Sequence, residues 1–240
     1  MAGALRLESG RSINPDEILR SSDILRGVNY LHSPLKRRLD MFMGGALSVG
    51  ALIPIGLLAS AVWLQDRKNP IYKGTRINPG IVNRVPIIKI RSMVVNGDAL
   101  EDQVVGISSI LEIKTKSADP RITPFGKWMR RTSLDELPQL LLACKGDISL
   151  VGPRMFNDSE WNREIFPNMD EEPYLTFYNL LQQGMKFGVT GFYGIYGRSN
   201  LALRDRVALD NLYGNDANFT ADWRIMGLTV GAVLSARGVF

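Results

Sequence analysis

A chain of 240 residues with 45% hydrophobic and 22% charged side chains has enough apolar material to bury a sizeable core, which excludes a disordered or fibrous protein. Its formal net charge of +5 leaves three kinds of acidic partner in view: nucleic acid, an anionic membrane surface and a phosphorylated substrate. A single cysteine, Cys144, excludes an intramolecular disulfide, and a single histidine, His32, with no paired thiols excludes a zinc site.

Residues 1–33 carry no apolar core near the start, so a cleaved signal peptide is not expected. Asn14-Pro15-Asp16-Glu17 reads as cap, first-turn proline and first-turn acids, and opens a short helix through Ile18, Leu19, Ile24, Leu25 and Val28. From Met41 to Leu64 no residue is charged. As a helix this run would be about 36 Å long, enough for a hydrocarbon core of roughly 30 Å. Pro54 removes a backbone donor and crowds the carbonyl of Gly50, which predicts a kink. Lys36-Arg37-Arg38 precedes the run and Arg67-Lys68 comes after it, so both ends can sit on one face of a membrane. The long apolar run moves the charge reading away from nucleic acid, toward membrane and phosphate.

Past Pro70 the signals turn to short strands and loops. Val85-Pro86-Ile87-Ile88-Lys89-Ile90-Arg91 alternates at its end, predicting Lys89 and Arg91 on one strand face and Ile88 and Ile90 on the other. Val95 to Ser117 has no clear period and reads as a loop or short helix. The densest chemical cues lie between Arg130 and Arg154. Ser133-Leu134-Asp135-Glu136 fits a capping box, although Pro138 favours a later register with Asp135 as cap. Either register places Asp135 and Glu136 in a first helical turn, where ionised carboxylates are favoured. Leu137, Leu140, Leu141 and Cys144 form the apolar stripe, and Lys145-Gly146 the stop. Alone, such acids are ordinary first-turn residues. Arg130 and Arg131 before them and Arg154 after them could instead assemble a site for a multiply charged anion such as a diphosphate, with Mg²⁺ held by a carboxylate and the phosphates.

The aromatic residues between Asp158 and Gln183, including Trp161, Phe166, Tyr174, Phe177 and Tyr178, read as packing residues more readily than as interface anchors. Trp223 to Ala236 is an apolar helix bounded by Asp222 and Arg237, too short to span, in which Gly227 and Gly231 allow close packing.

The chain resembles the monotopic phosphoglycosyl transferases, bacterial sugar transferases that begin polysaccharide and glycoconjugate assembly on a polyprenyl phosphate. The resemblance covers about residues 34–240. It rests on Lys36-Arg37-Arg38 with Asp40, Lys89-Ile90-Arg91-Ser92-Met93, Asp119-Pro120-Arg121-Ile122-Thr123, the run Thr132 to Leu140, the run Lys145 to Arg154, Gly188-Val189-Thr190-Gly191 and Gly197-Arg198-Ser199. Two positions depart from the pattern. Ile53 stands where the family has serine before the proline, and Lys186-Phe187 stands where it has Arg-Pro.

The resemblance implies an α+β, mostly helical fold: an N-terminal extension over 1–33, a re-entrant membrane helix over 34–68 and a cytoplasmic catalytic domain over 69–240. It implies an Mg²⁺-dependent transfer of a sugar 1-phosphate from a nucleotide-sugar donor, a UDP-sugar by preference, to a polyprenyl phosphate at the inner membrane. Asp135 would be the nucleophile, Glu136 the metal ligand, and Arg130, Arg154, Arg91 and Arg198 the phosphate contacts. Membrane lipids are expected partners and nucleic acid is not; a homo-oligomer is left open. The alternative is an inactive membrane scaffold of the same fold.

Overall fold

The computed structural model describes residues 5–6, 12–13, 24–79, 84–100, 119–196 and 202–234. It is mostly helical, with three separate two-stranded pairings. Strands β1 (Leu5–Arg6) and β2 (Ser12–Ile13) pair antiparallel. Helix α1 (Ile24–Leu31) comes next and packs on α7 (Leu203–Asp216), so close that a Cβ on Gly27 would lie 2.0 Å from the Asn215 carbonyl oxygen. The expected helix start at Asn14 lies outside the described residues.

Helix α2 (Pro34–Asp66) is 33 residues long, about 50 Å at 1.5 Å per residue. Ser33 caps its start, accepting the Lys36 N–H, and Pro34 occupies the first turn, where its missing donor costs nothing. The helical assignment runs through Pro54 without interruption. One face is buried, through Leu39, Gly44, Ser48, Ala51, Leu58 and Val62, while Phe42, Val49, Ile53 and Leu57 are 69–75% exposed. Exposed apolar side chains in that number on one helix face are what a lipid-contacting surface would show.

Strands β3 (Ile71–Ile77) and β4 (Arg84–Ile90) form an antiparallel hairpin in the register Ile71↔Ile90 to Ile77↔Arg84. The unbulged register keeps Ile88 and Ile90 on one face of β4 and Lys89 on the other, as expected, but both faces are covered: Ile87 and Ile90 are buried, and Ile88 and Lys89 half-buried. Of the segment from Val95 to Ser117, the described part contains one 3₁₀ turn, Gly97–Leu100. Helix α3 (Pro124–Thr132) is capped by Thr123, whose Oγ1 accepts the Gly126 N–H at 2.9 Å, and it ends in Arg130 and Arg131, complementing the dipole. A 3₁₀ turn (Leu134–Gln139) leads into α4 (Leu140–Lys145), which ends at Gly146 with φ 93°, as the Lys145-Gly146 signal predicts. The buried face of α4 is Leu140, Leu142 and Ala143, whereas Leu141 is exposed and Cys144 half-buried. The expected stripe is thus rotated, because α4 begins only at Leu140 and packs flat against α2.

The sequence pattern signals neither strand of the central parallel pair, β5 (Ser149–Val151) with β6 (Gly188–Thr190). All of β5 is buried, so no alternation marks it. A Cβ on Gly188 would meet the Gly152 nitrogen at 2.2 Å, so the two backbones approach as only glycine allows. Around this pair sit Phe156, Phe177, Phe187, Phe192 and Tyr213, all nearly inaccessible, carried in part by α5 (Tyr174–Gln182), α6 (Phe192–Tyr196) and α7. Trp161, Tyr174 and Phe177 are packing residues as expected, and Phe166 is exposed. The Lys186-Phe187 departure is absorbed locally: Phe187 fills the core and Lys186 Nζ donates to the Gly146 carbonyl at 2.6 Å.

Helix α8 (Phe219–Leu234) begins one turn earlier than expected and takes Asp222 inside it, fully buried, while Gly227 and Gly231 face open space instead of a packed neighbour. Asp222 belongs to a network that ties α2 to the domain. Lys36 Nζ lies 2.7 Å from Asp222 Oδ2 and 3.2 Å from Asp40 Oδ1. Tyr30 and Tyr213 donate to Asp222, and Ser149 Oγ and the Leu150 N–H donate to Asp40. Lys36→Met would leave two buried acids without their cation, and is expected to destabilise the protein by roughly 3–5 kcal/mol. Denaturant unfolding of the detergent-solubilised chain would measure the loss, and Lys36→Met combined with Asp222→Asn should recover part of it.

Candidate active site

Asp135 and Glu136 lie on the 3₁₀ turn, not on the first turn of an α-helix. Ser133 is the C-cap of α3, at φ 54° in the left-handed region, and its side chain makes no capping bond to the 3₁₀ turn. Neither the capping box nor the Asp135 cap forms. The physical reason is that α3 uses Ser133 to stop, and Pro138, which cannot donate, defers the next α-helix to Leu140. The turn is wedged among β4, α2, α3 and α4, and this packing fixes the acids. Asp135 is 5% exposed and Glu136 half-buried.

Cations approach the pair from several sides. Lys89, on β4, places Nζ 2.5 Å from Glu136 Oε1. Arg130, in the last turn of α3, donates its Nε to Ser92 Oγ at 2.8 Å, which aims the guanidinium along the cleft. Behind it Arg121 holds Asp119 through Nη2–Oδ2 at 2.8 Å. Arg154 leaves β5 through Gly152-Pro153 and lies over the Tyr193 ring at 5.6 Å. Arg91 is engaged elsewhere: its two Nη atoms bond both oxygens of Asp66 at 2.7 Å and its Nε reaches the Asn69 carbonyl, so it ties down the end of α2 at the cleft margin. The strand cation that meets the acids is therefore Lys89. Arg198 lies outside the described residues. Lys89, Ser92 and Gln139 stand inside the quoted motifs, yet nothing in the spacing separates them from their neighbours; the fold assigns their positions.

These side chains line a cleft of about 1420 Å³ in which ten Lys and Arg side chains face five Asp and Glu. The excess of cations suits a polyanionic ligand. At one side the lining turns apolar, with Met43 and Leu47 from α2, Leu137, and Trp223, Met226 and Val230 from α8. One cleft thus joins a cationic floor to the apolar helix.

Burial raises the Asp135 carboxyl, the adjacent Glu136 raises it further, and Lys89 and Arg130 offset only part of this. Burial would raise Glu136 too, but the charges of Lys89 and Arg154, the Lys89 hydrogen bond and Arg130 outweigh it and hold Glu136 at about 2. Neighbouring carboxyls are so pushed apart, one a fixed anion and the other a more basic carboxylate. On Arg154, burial works to lower the pKa, and Glu136, Tyr193 and Glu160 more than compensate, leaving it raised.

The carboxylates of the turn that line the cleft are Asp135 and Glu136; Gln139, on the same turn, lines a small adjoining pocket with Glu136, and its buried Oε1 finds no partner among the described residues. Those residues contain no cluster of three His, Cys, Asp or Glu, so they do not by themselves form a metal cage. An all-oxygen set with one or two carboxylates fits a hard divalent cation whose shell is completed by phosphates and water.

A family profile described as bacterial sugar transferase matches residues 31–236. The UDP-galactose-lipid carrier transferase of Erwinia amylovora is 33% identical over 228 residues, 90% of this chain and 45% of the relative. The undecaprenyl-phosphate galactose phosphotransferase of Salmonella typhimurium is 35% identical over 224 residues, 88% of this chain and 44% of the relative. The exopolysaccharide production protein ExoY of Sinorhizobium fredii is 30% identical over 210 residues, covering 85% of this chain and 88% of the relative. The chain spans under half the length of the first two and most of the third.

Removing the Lys89 charge should release Glu136. In Lys89→Met its carboxyl is expected to rise from about 2 toward the ordinary value of roughly 4.3, followed as the ¹³C carboxyl shift against pH in Glu-labelled protein. A Glu136 that still titrates at about 2 would assign the whole effect to the arginines.

Proposed function

The chain belongs to the bacterial sugar transferase family, and we propose that it transfers a sugar 1-phosphate from a nucleoside diphosphate sugar, a UDP-sugar by preference, to a polyprenyl phosphate. The observation that carries this reading is the buried Asp135 beside a Glu136 neutralised by Lys89, in a cation-rich cleft that opens onto an apolar helix.

In this reading an Asp135 carboxylate oxygen attacks the phosphorus that bears the sugar. The bond from that phosphorus to the bridging oxygen breaks, nucleoside monophosphate leaves with the electron pair, and an aspartyl phosphosugar remains. A polyprenyl phosphate oxygen then attacks the same phosphorus, restoring the Asp135 carboxylate and giving a polyprenyl diphosphate sugar. The carboxylate needs no base to remove a proton, in keeping with the absence of a histidine among the residues lining the cleft. Raised basicity makes Asp135, once ionised, a better nucleophile than a solvent-exposed carboxylate. Arg130 and Arg154 flank the acids and would take the charge of the phosphates. Glu136, with Gln139 beside it, would hold Mg²⁺, which supplies charge neutralisation on the phosphates when bound.

For the membrane we propose that α2 enters and leaves on the cytoplasmic side, with residues 69–240 as the catalytic domain on that face. Support comes from both ends of the helix being tied to the same domain. Lys36 pairs with Asp222 and Arg37 donates to the Cys144 and Lys145 carbonyls at one end. At the other, Asp66 pairs with Arg91, and Leu58 and Val62 pack on Ile90 and Met129. A helix crossing roughly 30 Å of hydrocarbon would leave only one end within reach of the domain.

Purified protein supplied with UDP-sugar and polyprenyl phosphate should release UMP in step with lipid product, and Asp135→Asn should cut turnover by at least about a thousandfold while the fold is kept. Stoichiometric release of UDP would move the reaction to the anomeric carbon and end this reading. Topology is checked separately in a Cys144→Ala background carrying His32→Cys or Asn69→Cys. Both reporters should be protected from a membrane-impermeant thiol reagent in intact cells and react in inside-out vesicles. Opposite labelling of the two would establish a full span.

A further inference from the structure

The cleft wall on the Glu136 side carries a guanidinium that no motif singles out. Arg206 stands in the first turns of α7 and lies over the Phe156 ring at 5.4 Å. Its nearest acid is Glu160, with Nη2–Oε1 at 3.8 Å, a loose pairing for an arginine. Glu160 is also committed to the capping box with Asn157, accepting the Asn157 N–H at 2.9 Å. The Arg206 Nε is buried and has no hydrogen-bond partner among the described residues. Burial, and after it the positive charge of Arg154, make Arg206 unusually easy to deprotonate for a guanidinium. Arg206 is therefore held on this wall with less counter-charge than it requires, beside an Arg154 that its neighbours already compensate, and the unfilled Arg206 donor marks where counter-charge is missing.

The position of this wall says which anion suits it. Arg206 meets the segment 156–160, whose Asp158 bonds Arg84 at the start of β4 in an exposed ion pair. Arg91, which ties down the end of α2, stands past the other end of the same strand, about 20 Å away at 3.3 Å per residue. Arg206 thus stands by the segment that meets the Arg84 end of β4, the strand end opposite the Arg91–Asp66 pair.

We propose that Arg206 and Arg154 form a second anion subsite, on the Glu136 side and distinct from Arg130 on the Asp135 side, that binds the phosphate of the nucleoside monophosphate part of the donor. The assignment rests on the nucleotide-sugar reading above. It divides the cleft, with Arg130 for the phosphate that is transferred and the pair Arg154 and Arg206 for the phosphate that departs.

The test measures equilibrium binding to the full chain in detergent, with uridine 5′-monophosphate, inorganic phosphate and a short polyprenyl phosphate as separate probes. Arg206→Met keeps an apolar stem against Phe156, and Arg206→Lys keeps the charge without the fork. Arg206→Met should weaken uridine 5′-monophosphate binding by at least about tenfold, the effect of one charge-assisted hydrogen bond, with polyprenyl phosphate binding and the melting temperature little changed. Inorganic phosphate should weaken in parallel, and Arg206→Lys should fall between wild type and Met. Unchanged nucleotide binding in Arg206→Met, or a loss confined to polyprenyl phosphate, overturns the subsite. So does a fall in melting temperature with equal loss of all three probes, which is the signature of a structural arginine. If wild type binds no uridine 5′-monophosphate and releases none in turnover, the donor reading fails and takes the subsite with it; if wild type binds it and the Arg206 variants bind it equally well, the subsite fails alone.

Discussion

The structure depends on one buried cation. Lys36 sits in the first turn of a long apolar helix and reaches two carboxylates, Asp40 on its own helix and Asp222 on α8, with all three side chains almost inaccessible. Burying an unpaired charge costs several kcal/mol, so this helix has only one favourable seat on the domain. Asp40 in turn binds Ser149 and the Leu150 N–H, which sets β5 against the helix. The residues directly after β5 are Gly152, Pro153 and Arg154, so the pairing that anchors the helix also decides where an active-site arginine emerges. Anchor and site share one short strand.

The cleft is an electrostatic balance. Glu136 is surrounded by enough positive charge to stay ionised far below the normal range, while Asp135, one residue away and deeper, is pushed the other way. The difference comes from the 3₁₀ turn, which directs Glu136 at Lys89 and leaves Asp135 without a direct ion pair among the described residues. On a regular helix N-terminus both would share the same dipole and the same water. The tight turn between two helices separates their environments.

The two departures from the family pattern have different consequences. Phe187 occupies the core and its carbonyl accepts the Ser149 N–H at 2.7 Å, so the position serves packing and strand pairing. Ile53 is 75% exposed beside Pro54, on the apolar face of α2 turned away from the domain. A hydroxyl there would have offered a partner to freed backbone; the isoleucine offers only apolar surface, and the helix assignment continues through the proline.

The sequence by itself determined the elements whose signals are local. An uncharged run of 24 residues between basic flanks, the Lys145-Gly146 stop and the placing of acids among arginines depend on neighbours a few residues apart. Tertiary structure decided what rests on distant partners. The strand β5 is three fully buried residues with no alternation to read, and it exists because Gly188 can approach Gly152. Asp135 and Glu136 read as first-turn residues because their local pattern satisfies a cap; the end of α3 at Ser133 and the wedge of β4 and α2 put them on a 3₁₀ turn instead. Lys89 and Arg91 are two residues apart on similar chemistry. Only the fold shows that one faces Glu136 and the other Asp66, because which acid a cation meets is set by packing across 47 residues in one case and 25 in the other.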